Sequence, residues 1–220
     1  INKGMWSKFL LDLFEVPIQC LPIIVPTKYE YGNILNTDLP LSIVIGDQQA
    51  ALIGQGGLAN HYLGANFGTS GSIQYNTGNR LIKINGLLSS VLFSEKNKKL
   101  FMIEGTINAC NAIFYHLETV LNIPHHEMRW DNRIKNTTTD GVFIPGFNGI
   151  SSPYWASGFK DILIDLPENN NQIVRAAMES IGLLTNDIIT CFKEGKITIP
   201  GILSVSGGAA RPPLLQFVSD

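Results

Sequence analysis

Residues 62–78, YLGANFGTSGSIQYNTG, decide the fold class. Two runs rich in apolar, aromatic and β-branched residues flank a Gly-Thr-Ser-Gly turn at 68–71, the pattern of two strands joined by a short connection. The block continues through LLSSVLFS (87–94) and KLFMIEG (99–105), which read as further antiparallel strands. Lys96, Lys98 and Lys99 fall in the polar stretch SEKNKKL between them, where they solvate a hairpin tip rather than grip phosphates.

Downstream the period changes. Residues 106–121 carry apolar side chains at helical spacing through Ile107, Cys110, Phe114, Leu117 and Leu121. Pro124 opens a second helix through HHEMRWDNRI, VFIPGF (142–147) reads as a strand or extended turn, and ILIDL (162–166) as a further strand. The longest helix is predicted over 171–194, with Ile173, Val174, Ala177, Ile181, Leu184, Ile188 and Phe192 on one stripe. ILSV (202–205) reads as a last strand, and Gly207-Gly208 leads into a final helix. Upstream, residues 5–16 have helical spacing up to Pro17, and 17–40 is a proline-rich irregular connection. Leu41 to Ile45 is a short apolar run predicted as a buried strand that ends in Gly46-Asp47. QQAALIGQG then reads as one or two helical turns closed by Gly56 and Gly57. Strands followed by strands alternating with helices point to the α/β class with a mixed sheet.

Composition bounds the function. Hydrophobic residues make up 45% of the chain and charged ones 15%, enough for a real core and against disorder. The balance of 16 basic and 18 acidic residues gives −2 with no dense basic cluster, which argues against nucleic acid as a partner. No apolar run reaches the ~18 residues of a membrane span, and there is no basic-then-apolar leader pattern. Cys20, Cys110 and Cys191 are far apart in apolar surroundings and read as buried thiols in a reducing cytoplasm. The sequence opens and closes mid-pattern, as expected of a piece of a longer protein.

Three segments have the residue types for chemistry. Asp47, at the carboxyl edge of a predicted strand and the start of a helix, stands where α/β folds place ligands and could take a proton from a hydroxyl. It could equally cap the helix. Gln48 beside it can donate to and accept from sugar hydroxyls. Gly68-Thr69-Ser70-Gly71 can bring backbone N–H groups to an anion, or can simply be a hairpin turn. It is not a P-loop, because no Gly-Lys-Ser/Thr follows. Ser206-Gly207-Gly208-Ala209-Ala210 lies between a strand and a helix start, where paired glycines admit a flat nucleoside or a phosphate, although a tight turn explains the same letters. Pro212 and Pro213 suit the first helical turn. His125-His126-Glu127 lacks metal-site spacing and reads as a solvated helix start, so no metal ligand is assigned. Trp155 in SSPYWASG could stack on a ligand or fill a lobe interface, and packing is the expectation.

The order of these segments adds to what each says alone. GDQQAALIGQ (46–55), NFGTSG (66–71), EGTINACNAIFYHL (104–117), GVFIPGFNGISSPYW (141–155), IVRAAMESIG (173–182) and SGGAARPPLLQFVSD (206–220) resemble successive landmarks of the FGGY carbohydrate kinases. The likeness is greatest to the glycerol-phosphorylating branch, where GDQQAAL is characteristic. The resemblance implies an actin-like, ribonuclease H-like ATPase domain, with a mixed sheet flanked by helices. Residues 1–57 would be the tail of a first, substrate-binding lobe, and 58–220 a second, nucleotide-binding lobe truncated at its C-terminus. It further implies ATP with Mg²⁺, a sugar or polyol substrate and a cytoplasmic location. Related kinases often form dimers or tetramers, so a homo-oligomer is open.

By the same resemblance, Asp47 is the general base and Gln48 holds substrate hydroxyls. Gly68 and Thr69 line the phosphates, Gly208 meets the adenosine end, and the helix bearing Asn111 forms a wall of the nucleotide pocket. Several positions depart from the family pattern: Ser206 replaces an acid, Asn111 a glycine, Tyr115 a glutamine and Pro212 a polar residue. Asp165 stands where a glycine is expected. Ser72 replaces an aromatic that packs on glycerol, which favours a larger polyol or ketose. A degenerate, non-catalytic nucleotide-binding protein of the same fold is the alternative that these departures motivate.

Overall fold

The computed structural model describes Ile1 and residues 3–220. Its N-terminal part is thinly structured: helix α1 (Lys8–Leu13), a 3₁₀ turn (Ile18–Cys20) and then helix α2 (Asp47–Gly54). The β block follows as β1 (Leu63–Phe67), β2 (Gly71–Gly78), β3 (Leu88–Glu95) and β4 (Lys98–Ile107). Helices α3 (Asn111–Val120), α4 (His125–Met128) and α5 (Trp130–Arg133) come next, then a small ribbon of β5 (Val142–Ile144) and β6 (Ile162–Ile164). Helix α6 (Asn170–Glu194), β7 (Ser204–Ser206) and α7 (Pro212–Ser219) complete the chain.

The main sheet has the order β3-β4-β2-β1-β7, antiparallel except for the parallel pair β1–β7, so it is mixed as expected. A parallel pair needs a crossover, and α3 to α6 supply it. Helix α6 lies against the sheet through Val174, Ala177, Ile181, Ile188 and Phe192, meeting Phe67, Ile73, Ile103 and Ile107 in the principal core. Each such side chain removed from water contributes about 1.5–3 kcal/mol. Asn169 starts α6 by accepting N–H bonds from Asn171 and Gln172 through its side chain, which explains why the helix begins there despite a polar run.

Several expectations change. Leu41–Ile45 is not a buried strand: Leu41, Ile43 and Val44 are exposed, and the run pairs loosely with 27–33 through isolated bridges at Lys28–Ile43 and Asn33–Pro40. It lies off the main sheet, so its apolar letters have no core face to join. The first helix covers only Lys8–Leu13 of the predicted 5–16. The helix predicted from residue 106 starts at Asn111, because Thr106 and Ile107 remain in β4 opposite Ser72 and Gly71. HHEMRWDNRI splits at Arg129, whose backbone (φ 19°, ψ 58°) leaves helical space. The last strand is shifted to Ser204–Ser206, with Ile202 exposed. Cys110 is buried as expected and Cys191 partly so, whereas Cys20 is exposed in its 3₁₀ turn, against the expectation of burial. Trp155 is half exposed and donates its indole N–H to the Gly86 carbonyl at 2.8 Å.

Candidate active site

Alternation along the strands gives the two faces of the sheet opposite chemistry. On β2, Ile73 and Tyr75 join the core beneath α6, while Ser72, Gln74 and Asn76 turn toward α2 and are equally buried. Register extends this polar row sideways: Asn66 of β1 and Thr106 of β4 oppose Ser72, Glu104 opposes Gln74, and Ser206 of β7 lies beside Asn66. Burying so many polar groups is costly unless they find partners, and α2 supplies them.

Helix α2 is anchored at its C-terminal end. Leu52 is fully buried in a small second cluster with Leu92, Leu100 and Met102. Asn76 Nδ2 donates to the carbonyls of Gly57 (2.7 Å) and Ala59 (3.1 Å), and the Tyr62 hydroxyl donates to that of Gln55. Gln55 Nε2 donates to Ser206 Oγ at 2.6 Å and to the Ala65 carbonyl at 3.2 Å. Ser206, where the family pattern has an acid, is thus a partner of α2.

The N-terminal end of α2 overhangs β2. Gln48 Oε1 accepts from Ser72 Oγ at 3.2 Å, and Gln74 Nε2 reaches the Gln48 carbonyl (3.4 Å) and Glu104 Oε2 (3.5 Å). Asp47 is exposed as the first residue of the helix, after the N-cap Gly46, rather than at the end of a strand. Its Oδ1 accepts the Gln48 N–H at 2.8 Å, so its second oxygen has no partner among the described residues. Burial pushes the Glu104 carboxyl above its ordinary pKa. The Gln74 hydrogen bond opposes that shift, and the Asp47 charge adds to it. Asp47 and Glu104 therefore feel one another across the row.

The two glycine turns meet at the edge of this face. Asn111 N–H donates to the Gly68 carbonyl (2.9 Å), and those of Cys110 and Ala112 to that of Thr69 (2.9 and 3.1 Å), seating the turn on the start of α3. Gly207 has φ +101°, and a Cβ there would fall 2.3 Å from the Phe67 carbonyl oxygen, so only glycine fits. Ala209 N–H donates to the same carbonyl at 2.8 Å, and a Cβ on Gly208 would lie 3.3 Å from Asn111 Nδ2. Gly68, Thr69, Asn111 and Gly208 thus form one contiguous cluster. Gln48 bonds to Ser72, the residue after Gly71, which joins α2 to the same strand pair.

The cluster suits a polyphosphate. The Thr69, Ser70 and Gly208 amides have no acceptor among the described residues, and Gly207 and Gly208 are exposed without side chains in the way. Tyr115 is exposed on α3 with its ring stacked on His125 at 5.8 Å, and His125 pairs with Glu118 at 2.9 Å on the surface. Gln55, Asn66, Gln74 and Glu104 are site residues that the sequence reading passed over. The signal was present: polar letters at 72, 74 and 76 alternate with Ile73 and Tyr75, and Glu104 interrupts the apolar run LFMI.

The pattern that defines the FGGY family of carbohydrate kinases, C-terminal domain, matches residues 63–218. A glycerol kinase of Treponema denticola is 30% identical over 231 residues, covering 100% of this chain and 47% of its own length. One of Saccharolobus islandicus is 33% identical over 229 residues, covering 100% and 46%. Among solved structures, Plasmodium falciparum glycerol kinase with ADP superposes with a TM-score of 0.84 at 23% identity, over 100% of this chain and 46% of that one. A xylulose kinase from Brucella ovis gives 0.80 at 17% identity, over 100% and 48%. The chain spans about half the length of the curated relatives it matches.

Proposed function

This chain belongs to the FGGY family of carbohydrate kinases, and from that premise we propose that the whole protein phosphorylates a hydroxyl of a sugar or polyol at the expense of ATP. Residues 1–57 complete the first lobe and 58–220 make the second. The observation that carries this reading is the placement of Asp47 and Gln48 over a buried polar row whose far edge holds two glycine turns, in which the Thr69, Ser70 and Gly208 amides have no acceptor among the described residues.

When bound, Mg²⁺-ATP supplies the phosphoryl group, and the metal offsets its charge. The chain's own residues position and deprotonate. Asp47 Oδ2 would take the proton of the substrate hydroxyl as the hydroxyl oxygen bonds to the γ-phosphorus and the γ-phosphorus–oxygen bond to the departing ADP breaks, a role that suits a carboxylate oxygen without a second partner. Gln48, steered by Ser72 and Gln74, orients the neighbouring hydroxyls. The amides of Thr69 and Ser70 would serve the phosphates and the open backbone at Gly208 the adenosine end, with Asn111 bonded to the first turn and its side chain beside the second. With Ser72 in place of an aromatic, the pocket floor is polar throughout, and this supports a ketose or an alditol longer than glycerol.

A coupled ADP-release panel of the whole protein against glycerol, ketoses, alditols and sugar acids tests this. Turnover with one of these classes is expected, and none from the 220-residue chain alone. Silence of the whole protein across the panel, with nucleotide still bound, would replace this reading by a non-catalytic nucleotide-binding protein.

A further inference from the structure

The end of the sheet away from the glycine turns has a cavity of about 480 Å³ lined by His61, Tyr75, Thr77, Arg80, Lys196 and Thr198, with Ile82, Ile197 and Pro200 as its apolar wall. It lies between the segment that leaves β2 and the connection from α6 to β7. Arg80 and Lys196 are basic side chains that border it, and no carboxylate does among the described residues. The side chains of Arg80 and Lys196 have no ion-pair or hydrogen-bond partner among the described residues. By contrast, Arg175 meets Glu179 at 2.5 Å, Arg211 meets Asp131 at 2.9 Å, and Lys28 meets Glu95 at 2.6 Å.

The floor is built rather than loose. Tyr75 is buried against Phe192, its hydroxyl lies 2.7 Å from His61 Nδ1, and it reaches the Thr198 carbonyl at 3.4 Å. Thr77 Oγ1 donates to the Arg80 carbonyl at 2.7 Å, which fixes the backbone under the guanidinium. His61 and Lys196 both hold left-handed backbone, at φ +64° and +60°. Glycine or asparagine is favoured at such positions, so these larger side chains are kept against a local cost.

A plainer role for Lys196 would be to complement the negative end of α6. The carbonyls of Cys191, Phe192 and Lys193 are already taken, however, by the N–H groups of Gly195, Ile197 and Lys196 at 2.9 Å each. Nothing in that role calls for Arg80 or His61 on the opposite wall.

We propose that this cavity is an anion site that takes the phosphate group of a small phosphorylated molecule, separate from the cleft at Asp47. Arg80 grips two phosphate oxygens through its planar fork and Lys196 adds a point charge. The Ile82, Ile197 and Pro200 wall takes the less polar part of the molecule, and the volume matches a ligand of metabolite size.

Calorimetric titration of the whole protein, with Mg²⁺-ADP saturating the cleft, tests the site. The probes are inorganic phosphate, glucose 6-phosphate and glucose. Glucose 6-phosphate is expected to bind and glucose not. Replacing both cations (Arg80→Gln with Lys196→Gln) should weaken binding roughly 10- to 100-fold, the loss of one or two charge-assisted contacts, at unchanged melting temperature. Lys196→Gly should raise the melting temperature while still weakening the probe. Equal affinity for inorganic phosphate would mean that the site reads the phosphate alone. No heat up to about 10 mM probe, or affinity untouched in the double variant, would overturn the proposal. Neither result bears on phosphoryl transfer at Asp47.

Discussion

The two faces of the five-stranded sheet are made by the same strands and do opposite work. Beneath α6 the alternating positions are Phe67, Ile73, Tyr75, Ile103 and Ile107, packed into one continuous core. Facing α2, the intervening positions are Asn66, Ser72, Gln74, Asn76 and Glu104, and Leu52, Leu92, Leu100 and Met102 form a small buried apolar patch there with Ile53, Tyr62 and Phe93 packed against it. One face contributes most of the hydrophobic stabilisation. The other spends buried surface on polar groups, which is worthwhile only if they position something.

Neighbouring residues on β2 give the sharpest contrast. Ile73→Ala removes a fully buried side chain and should destabilise the fold by about 2–5 kcal/mol, read as a lower denaturant midpoint with turnover of the folded fraction unchanged. Ser72→Ala, one residue away, should cost about 0.5–1.5 kcal/mol while raising KM for the sugar. Equal stability losses at the two positions would break the division of labour. Gly207→Ala sits at the seam between the faces. Its φ of +101° and the 2.3 Å approach to the Phe67 carbonyl should cost about 1–3 kcal/mol, with weaker nucleotide binding measured by titration.

The smallest effect is a pH dependence at Glu104. Its pKa is raised in the folded protein, first by burial and then by Asp47, so the native state holds this proton more tightly than the unfolded chain does. The stability it contributes is complete below the ordinary value of 4.5 and is lost as pH rises through the folded pKa. Glu104→Gln should therefore melt higher than the parent at neutral pH and lose that advantage near pH 4.5. A constant difference across pH would show that the carboxyl is not held in the row as described.

Much of this arrangement was legible in the sequence. The strand block and α6 follow from period-2 and period-3.6 patterns that tertiary packing then uses directly. The glycine turns were visible because their backbone needs restrict the letters. The polar row was harder to see, since a buried glutamine in SIQYN is written like a surface one, and only register with Glu104 and contact with Gln48 reveal its place. Leu41–Ile45 misled for the converse reason: its letters suit a buried strand, but the hairpin it joins meets the main sheet at its edge, through an isolated bridge from Lys28 to Glu95, and leaves Leu41, Ile43 and Val44 exposed. The cationic cavity was out of reach, because Arg80 and Lys196 are 116 residues apart (196 minus 80) and only the fold brings them to one wall.

The most direct test of the account is Asp47→Asn in the whole protein, assayed on the substrate that the panel identifies. The substitution keeps the size and position of the side chain at the start of α2 while removing its basicity. The prediction is a kcat lower by about 10²–10⁴-fold, with melting temperature and nucleotide affinity close to those of the parent. A kcat within a few-fold of the parent would contradict the assignment of the chemistry to this face of the sheet.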